Sequence, residues 1–219
     1  MFEKRFVRQS DLVPGDKIKL VDISIIGVGA IGRQVAIQAA AIGVPIIHLT
    51  DFDSVEEENL APQGFLESDM GKSKVNAVAD FCSKINSSVK IIKNNKKFKN
   101  SEFIDTSVIF CCVDSIETRK QIFNSVGKRC QLFIDGRMAA ESGRIYSTFD
   151  DQSREKYLTK IFPPEEAFRG SCTAKSTIYN SNMMAGLMIS QLTKWLRGIP
   201  LDFEISINIL TNEMSAMGS

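Results

Sequence analysis

A glycine motif near the start of the chain has the spacing of a nucleotide-binding turn. Residues 27–32 read G-V-G-A-I-G and come directly after the apolar residues 21–26. Glycine lets the chain turn tightly and brings its backbone close to a ligand. A helix that opens after such a turn attracts phosphate through its N–H groups and its dipole. The residues predicted to face a nucleotide are Gly27, Gly29, Ala30 and Gly32.

Two carboxylates, Asp51 and Asp53, follow the next apolar run, residues 45–49. A carboxylate at the end of the second strand of a βαβ unit can accept hydrogen bonds from both ribose hydroxyls. Asp51 is therefore the predicted ribose ligand, and Asp53 either contacts the nucleotide or supports the loop. A glycine motif alone is weak evidence, but strand, glycines, helix, strand and acid in this order favour a dinucleotide-type fold.

The residues from Asp51 onward favour ATP over a nicotinamide cofactor. They read D-F-D-S-V-E-E-E-N-L-A-P-Q, and residues 71–74 read G-K-S-K. This run resembles the ThiF/MoeB/HesA family, the adenylating relatives of ubiquitin-activating enzymes, whose pattern is roughly D-x-D-x-V-x-x-x-N-L-x-R-Q followed by G-x-x-K. The resemblance extends from Arg5 to about Leu210. A dehydrogenase has no need of the second acid, the asparagine or the lysine.

The resemblance implies an adenylyltransferase that binds ATP and Mg²⁺. In the implied reaction, the C-terminal carboxylate of a ubiquitin-like or sulfur-carrier protein attacks the α-phosphate of ATP. The products are an acyl-adenylate and pyrophosphate. Asn59 and Gln63 match polar positions of the family motif and are assigned to the nucleotide site. The alternative is that both side chains satisfy backbone groups of a loop.

Lys74, which follows the turn residue Gly71, matches the family lysine that contacts the phosphates. An ammonium group at this position would stabilise the charge that moves onto pyrophosphate. Lys72 is a nearby competitor for the same function. The alternative is a solvated lysine in the first turn of a helix, a position that the helix dipole disfavours.

Asp114 follows a continuous apolar run and is predicted to lie where a buried strand ends. Open α/β sheets bind ligands at this edge. Residues 112–115 read C-V-D-S and match a family segment whose aspartate is linked to magnesium and to the position of the α-phosphate. Asp114 is therefore the predicted metal ligand. The alternative is that it caps the helix predicted to begin at Ile116.

Two further catalytic candidates depend on the resemblance. Arg8 matches an N-terminal arginine that reaches the partner's nucleotide in homodimeric members, which implies a homodimer. Cys172 lies in the region where family members carry thioester or persulfide intermediates. Lys175 and a helix N-terminus close by would lower the pKa of the Cys172 thiol. A purely structural cysteine is the alternative.

One residue departs from the family pattern. Pro62 stands where the family has the arginine of N-L-x-R-Q, so a phosphate-facing guanidinium is missing. Arg137, Arg119 or Lys175 could supply the missing charge. The departure keeps open a second interpretation, an ATP-binding pseudo-enzyme or the partner subunit of an active protein. A third, an NAD(P)-dependent oxidoreductase, is supported only by the glycine motif.

Composition gives no strong signal for nucleic acid or for a membrane. The net charge is +1, and no apolar stretch reaches the roughly 20 residues that span a bilayer. The basic run at residues 93–99 is interpreted as a solvated loop. No C-x-x-C pair occurs among the five cysteines, so we expect no zinc. Their spacing is not typical of disulfides, which predicts a protein of the reducing cytoplasm. The cysteines expected to be core residues are Cys82, Cys111, Cys112 and Cys130, and His48 is interpreted as an ordinary strand residue.

The first half of the chain alternates between apolar runs and helical patterns. Predicted strands lie at 21–26, 45–49, 89–92, 106–113 and 132–135, and predicted helices at 33–42, 72–85 and 116–126. This alternation is typical of a parallel, right-handed, doubly wound sheet. The elements therefore bring the glycine motif, Asp51 and Asp114 to one edge of the sheet.

The second half departs from the alternation. Residues 143–149 read as a strand without a preceding helix, which predicts an antiparallel extension of the sheet. Residues 150–172 are polar and are interpreted as a long surface segment. A buried helix at 176–197 and a strand at 203–210 complete the prediction. The predicted fold class is α/β, a Rossmann-like, doubly wound, mostly parallel sheet in a single domain of residues 1–219, with an N-terminal arm (1–20) and a crossover loop (150–175).

Overall fold

The fold is built on one eight-stranded sheet with the strand order β3-β2-β1-β4-β5-β6-β7-β8. The computed structural model describes residues 4–99, 106–161 and 176–218. Strands β1 to β5 run parallel, and β6, β7 and β8 continue the sheet in antiparallel pairs. The predicted parallel sheet with an antiparallel extension is therefore confirmed. The strands are β1 (Asp22–Ile26), β2 (Ile46–Asp51), β3 (Lys90–Asn95), β4 (Val108–Cys111), β5 (Leu132–Ala139), β6 (Ser142–Thr148), β7 (Asp202–Asn208) and β8 (Glu213–Gly218).

Helices cover both faces of the sheet. The helices are α1 (Gly15–Ile18), α2 (Ala30–Ile42), α3 (Glu57–Gln63), α4 (Lys74–Ile85), α5 (Ile116–Ile122), α6 (Asp151–Leu158) and α7 (Ile178–Arg197). Helices α2, α4 and α7 share one apolar cluster with the strands. The opposite cluster contains Phe123, directly after α5, and Tyr157 of α6. Because both faces are covered, β1 buries apolar side chains on both sides, with Ile23 and Ile25 on the first side and Ile26 on the second.

The N-terminal arm packs at the edge of the sheet where the parallel strands begin. Its first described element is a 3₁₀ helix, Lys4–Gln9. The Nη1 atom of Arg5 donates to Oδ1 of Asn86 at 2.7 Å, and Nε2 of Gln9 donates to the carbonyl of Ile42 at 2.8 Å. Ile42 ends α2, a helix of thirteen residues that begins in the glycine motif. An α-helix rises about 1.5 Å per residue, so α2 is roughly 20 Å long. The arm and the glycine motif therefore lie at opposite ends of α2, roughly 20 Å apart.

Two predictions for the second half of the chain were incomplete. The segment predicted as polar surface contains α6, whose N-cap Asp150 accepts a hydrogen bond from the Ser153 amide at 2.7 Å. Tyr157 anchors α6 in the core and is fully buried, a contact that a mostly polar eight-residue helix does not reveal in sequence. The edge strand β8 was not predicted. Its residues are all exposed, and short exposed strands carry little apolar alternation.

Candidate nucleotide-binding site

A cavity of about 870 Å³ opens at the carboxyl ends of the parallel strands. It lies where the strand order reverses direction, between β1 and β4. This switch point is where open α/β sheets bind ligands, and the volume is in the usual range for small-molecule sites. The predicted residues in its wall are Gly27, Gly29, Ala30, Asp51, Asp53, Gln63, Lys74 and Asp114.

The turn after β1 requires glycine at two positions. Gly27 has a φ of 87°, and a Cβ added there would lie 2.8 Å from the backbone of Cys112. A Cβ at Gly32 would lie 1.9 Å from the carbonyl oxygen of Gly27. The backbone is therefore packed so closely that no side chain fits, and α2 begins directly at Ala30. The predicted tight turn before a helix is confirmed.

Asp51 ties the glycine turn to the end of β2. Its Oδ2 accepts a hydrogen bond from the Val28 amide at 2.6 Å, and its Oδ1 accepts one from the Asp53 amide at 2.9 Å. Each carboxylate oxygen has a second lone pair that can accept from a hydroxyl group. The structure thus brings Asp51 to the cavity wall, and its assignment as the ribose ligand stays a prediction.

Lys74 and Asp53 form an ion pair in the cavity wall. The Lys74 Nζ lies 3.0 Å from Oδ2 of Asp53, and the Lys74 amide donates to the Asp53 carbonyl at 2.9 Å. The Lys74 side chain is only 8% exposed, whereas that of Asp53 is 46% exposed. The alternative of a solvated lysine is therefore wrong. An entering phosphate could draw Lys74 from Asp53, because water can solvate the carboxylate that remains.

Asn59 and Gln63 lie at opposite ends of α3 and differ in their surroundings. The Asn59 Oδ1 accepts from the Glu56 amide at 3.2 Å and so helps to cap α3. Gln63 lies in the cavity wall beside Gly29, and its buried Oε1 has no hydrogen-bond partner within the described ranges. The structure brings Gln63 to the site but not Asn59. It also shows that these residues form a helix and not the expected loop.

Asp114 is exposed in the turn after β4 and lines the cavity. The next residue, Ser115, is the N-cap of α5, and its side chain accepts from the Thr118 amide at 3.2 Å. The alternative that Asp114 caps this helix is therefore wrong. In the part of the chain that the structure describes, no donor bonds to the Asp114 carboxylate, so it remains available to a ligand.

The structure separates the proposed substitutes for the missing arginine. Pro62 lies inside α3. Arg137 bonds to Asp135 at 2.7 Å and to the Lys160 carbonyl at 2.8 Å, and the structure does not bring it to the cavity wall. Arg119 does line the cavity. Lys175 lies outside the described residues.

Two lysines in the cavity wall were not predicted. Lys96 and Lys97 follow β3, and both belong to the basic run that was interpreted as a solvated loop. The Lys97 ammonium lies 5.9 Å from the centre of the Phe52 ring. Their position could have been found in the sequence, because residues that follow a parallel strand face the ligand edge of the sheet.

Two catalytic candidates are not in this cavity. Arg8 is exposed on the N-terminal arm, at the far end of α2 from the glycine motif. It therefore does not reach the nucleotide cavity of its own chain. Cys172 lies outside the described residues, so its predicted function stays untested.

The cysteines of the described ranges are poor nucleophiles. Burial raises the pKa of Cys82 and of Cys111 to about 12 and that of Cys130 to about 11. These three are core residues, as expected. Cys112 instead borders the cavity, although burial also raises its pKa well above the ordinary value. Burial lowers the pKa of His48 in β2, which favours the neutral imidazole.

Neither a membrane segment nor a multidentate metal cluster is found in the described ranges. No helix there is long and apolar enough to cross a bilayer. No group of three His, Cys, Asp or Glu side chains in residues 4–99, 106–161 and 176–218 is placed to hold a metal. Magnesium bound with a nucleotide needs only one or two carboxylates, since phosphates and water supply its other ligands. Asp114 fits that requirement.

The fold is an α/β domain of the doubly wound class, with a cavity of ligand size at the switch point of its sheet. The sequence model of the ThiF family matches residues 7–217, and the chain therefore belongs to this family. The resemblance inferred from the motifs is thus confirmed.

Similar proteins agree with this assignment. The chain is 32% identical over 209 residues to ubiquitin-like modifier-activating enzyme 5 of Culex quinquefasciatus, and the matched region covers 83% of this chain and 52% of that protein. It is 31% identical over 111 residues to adenylyltransferase and sulfurtransferase MOCS3-2 of Zea mays, which covers 48% and 23%. The chain thus spans about half the length of these curated relatives or less. The crystal structure of E. coli MccB with ATP has the same fold, with a TM-score of 0.76, 20% identity and coverage of 99% and 72%.

Proposed function

We propose that this protein is an ATP-dependent adenylyltransferase that activates the C-terminal carboxylate of a ubiquitin-like or sulfur-carrier protein. The observation that carries the proposal is the arrangement of Asp51, Lys74 and Asp114 around one glycine turn in a single cavity. The family and its adenylating relatives support the same chemistry. The carboxylate oxygen attacks the α-phosphorus of ATP, the bond to the β-phosphate oxygen breaks, and pyrophosphate leaves.

Each side chain has a distinct part in this proposal. Asp51 accepts the ribose hydroxyls while it holds the glycine turn, and the first amides of α2 face the phosphates. Lys74 exchanges Asp53 for a phosphate oxygen and stabilises the charge on the leaving group. Asp114 would hold Mg²⁺, which would neutralise phosphate charge. A nucleotide and a metal held in this way orient the α-phosphate for attack.

The cavity contains other positive charge in spite of Pro62. Lys96, Lys97 and Arg119 line it together with Lys74. Several cations around one anionic ligand supply an electrostatic attraction that does not depend on a single arginine. The competing function, a nucleotide-binding pseudo-enzyme, is favoured by Pro62, which stands where the family has an arginine. The two functions differ only in turnover.

We expect ATP–pyrophosphate exchange when the protein is mixed with carrier proteins that end in Gly-Gly. Labelled pyrophosphate should enter ATP only in the presence of the carrier carboxylate and Mg²⁺, and a carrier that lacks its last glycine is the control. Calorimetry should detect ATP–Mg²⁺ binding and much weaker NAD binding. Binding of ATP without exchange would support the pseudo-enzyme. Tight binding of NAD without binding of ATP would exclude both functions.

We also propose a homodimer in which Arg8 acts on the partner's nucleotide. Arg8 is exposed and lies far from the cavity of its own chain, which suits a contact across an interface. The interface of such a dimer would be isologous. A reducing, cytoplasmic location agrees with the free thiols of Cys82, Cys111 and Cys130. Cys172 remains the proposed nucleophile of a later covalent step.

Mixing two inactive variants tests the proposed contribution of Arg8. Arg8→Ala and Asp114→Ala should each be inactive alone, because each lacks one group of every site. An equal mixture should regain about a quarter of wild-type exchange, since half of the dimers are mixed and each mixed dimer has one intact site. The proposal would be contradicted if the mixture is as inactive as each variant alone. It would also be contradicted if light scattering shows a monomer under conditions where the wild-type protein is fully active.

A further inference from the structure

A buried ionic cluster lies behind the nucleotide cavity, and its centre is Asp135 of β5. Asp135 has no exposed surface. Its Oδ1 accepts from Nη1 of Arg119, and its Oδ2 accepts from Nε of Arg137 at 2.7 Å and from the hydroxyl of Tyr157 at 2.8 Å. The three donors come from α5, from β5 itself and from α6. Asp135 therefore joins three elements through one carboxylate.

The charges of this cluster are fixed by burial and by proximity. Burial has the largest effect on the pKa of Arg119 and lowers it, but the Asp135 carboxylate and smaller contributions from other neighbours together shift this pKa upward. Burial likewise has the largest effect on the pKa of Arg137 and lowers it, but Asp135 together with Tyr157 offsets burial, and the net shift is upward. Burial, followed by the charge of Asp135, raises the pKa of Tyr157 well above its ordinary value, so its hydroxyl remains a donor. The cluster therefore holds two cations around one anion.

Arg119 connects this cluster to the cavity. While Nη1 of Arg119 bonds to Asp135, its Nη2 donates to the carbonyl of Val113, the residue before Asp114. Arg119 is also one of the residues that line the cavity. Because the Asp114 carboxylate has no partner within the described ranges, its position follows from the backbone of the turn that carries it. Arg119 therefore contacts the backbone of this turn from the side of the buried cluster.

We propose that Asp135 is a positioning residue that fixes the Val113–Asp114 turn through Arg119. It does not touch the nucleotide, because it is fully buried and is not part of the cavity wall. A buried ion pair is seldom favoured for stability alone, since apolar residues of similar volume often serve as well. A planar guanidinium that bonds to two acceptors at fixed angles supplies a geometric constraint that apolar packing does not. The catalytic part of this inference depends on the proposed adenylation.

The test compares variants that break the contacts from Asp135 through Arg119 to the Val113 carbonyl with a variant that keeps these contacts. Asp135→Asn removes the charge that orients Arg119. Arg119→Lys keeps a cation, but one ammonium cannot reproduce the planar fork. Tyr157→Phe is the matched control, because it removes a donor from the other oxygen of Asp135 and leaves the bond between Arg119 and Asp135. All three change buried bonds, so rates are compared per folded protein below the melting temperature of each variant.

We expect Asp135→Asn and Arg119→Lys to lower kcat for pyrophosphate exchange about tenfold to a hundredfold, since misplacement by about 1 Å can cost that much. KM for ATP should change less than about threefold, and Tyr157→Phe should keep kcat within about twofold, since the link to the turn is intact. Equal kcat losses in all three variants, or none, would overturn the proposal.

Hydrogen exchange of peptides that cover residues 112–118 tests the positioning without any activity. These amides should exchange faster in Asp135→Asn and Arg119→Lys than in Tyr157→Phe, while β4 and β5 stay protected. Unchanged exchange in the turn would overturn the positioning even if the enzyme is active. A wild-type protein with no pyrophosphate exchange but with this pattern would reject the adenylation and keep the positioning.

Discussion

Asp114→Asn is expected to lower the rate of pyrophosphate exchange by about 10²- to 10³-fold, the usual effect of removing one preorganised electrostatic group. The amide has the shape of the carboxylate but no negative charge, so it binds Mg²⁺ poorly. Asp114 is exposed and makes no bond within the described residues that would hold the fold together. Thermal stability should therefore stay unchanged. The rate is measured at saturating ATP over a range of Mg²⁺ concentrations.

Glu117→Gln is the matched control for Asp114→Asn. Glu117 is an exposed acid in the first turn of α5, close in sequence, but it is not part of the cavity wall. Glu117→Gln changes the net charge by the same amount as Asp114→Asn. The rate of pyrophosphate exchange should stay within about twofold of wild type, as expected for a solvated surface charge. If both variants exchange at the wild-type rate, Asp114 does not hold the metal and the assigned site is incorrect.

Lys74→Met is expected to lower kcat/KM for ATP about tenfold to a hundredfold. A hydrogen bond to a charged group contributes about 1.5–3 kcal/mol, and each 1.4 kcal/mol corresponds to about tenfold. Methionine keeps the volume of the buried stem, so packing in the first turn of α4 is preserved. Asp53 loses its partner, but its side chain is 46% exposed and water can solvate it. Steady-state exchange at varied ATP gives kcat and KM separately.

Lys72→Met separates the function of Lys74 from the local positive charge. Lys72 lies two residues before Lys74. Its side chain is 42% exposed, and its Nζ lies 3.0 Å from Oδ1 of Asp69. Lys72 is not part of the cavity wall, and a partly exposed charge outside a site contributes about 0–1 kcal/mol, so we expect less than about a fivefold change in kcat/KM. A larger loss in Lys72→Met than in Lys74→Met would assign the phosphate contact to the competitor.

Much of the site could be predicted because its signals are local in the chain. The glycine motif, Asp51, Lys74 and Asp114 each lie at or next to the end of a regular element, and the carboxyl ends of parallel strands meet at one edge. Lys96 and Lys97 were missed although they obey the same rule, because a basic run after a short strand was interpreted by its charge. Their presence in the cavity depends on the pairing of β3 with β2.

The positions of Arg119 and Arg137 could not be separated from sequence. Both arginines were candidates for the missing phosphate contact, and both in fact bond to Asp135. Which of them also lines the cavity depends on the direction of each side chain from α5 and from β5. The anchor of α6 had no sequence signal either, because one buried tyrosine in a polar helix produces no periodic pattern.

The sequence by itself determined the family, the order of the elements and the main residues of the cavity wall. Glycine spacing, apolar periodicity and the acids at strand ends are properties of neighbouring residues, and they act at short range along the chain. Only the tertiary structure decided that Asp53 pairs with Lys74, that Ser115 rather than Asp114 caps α5, and that Asp135 joins three elements. These contacts bring together residues whose partners are chosen by packing and burial, which no local pattern encodes.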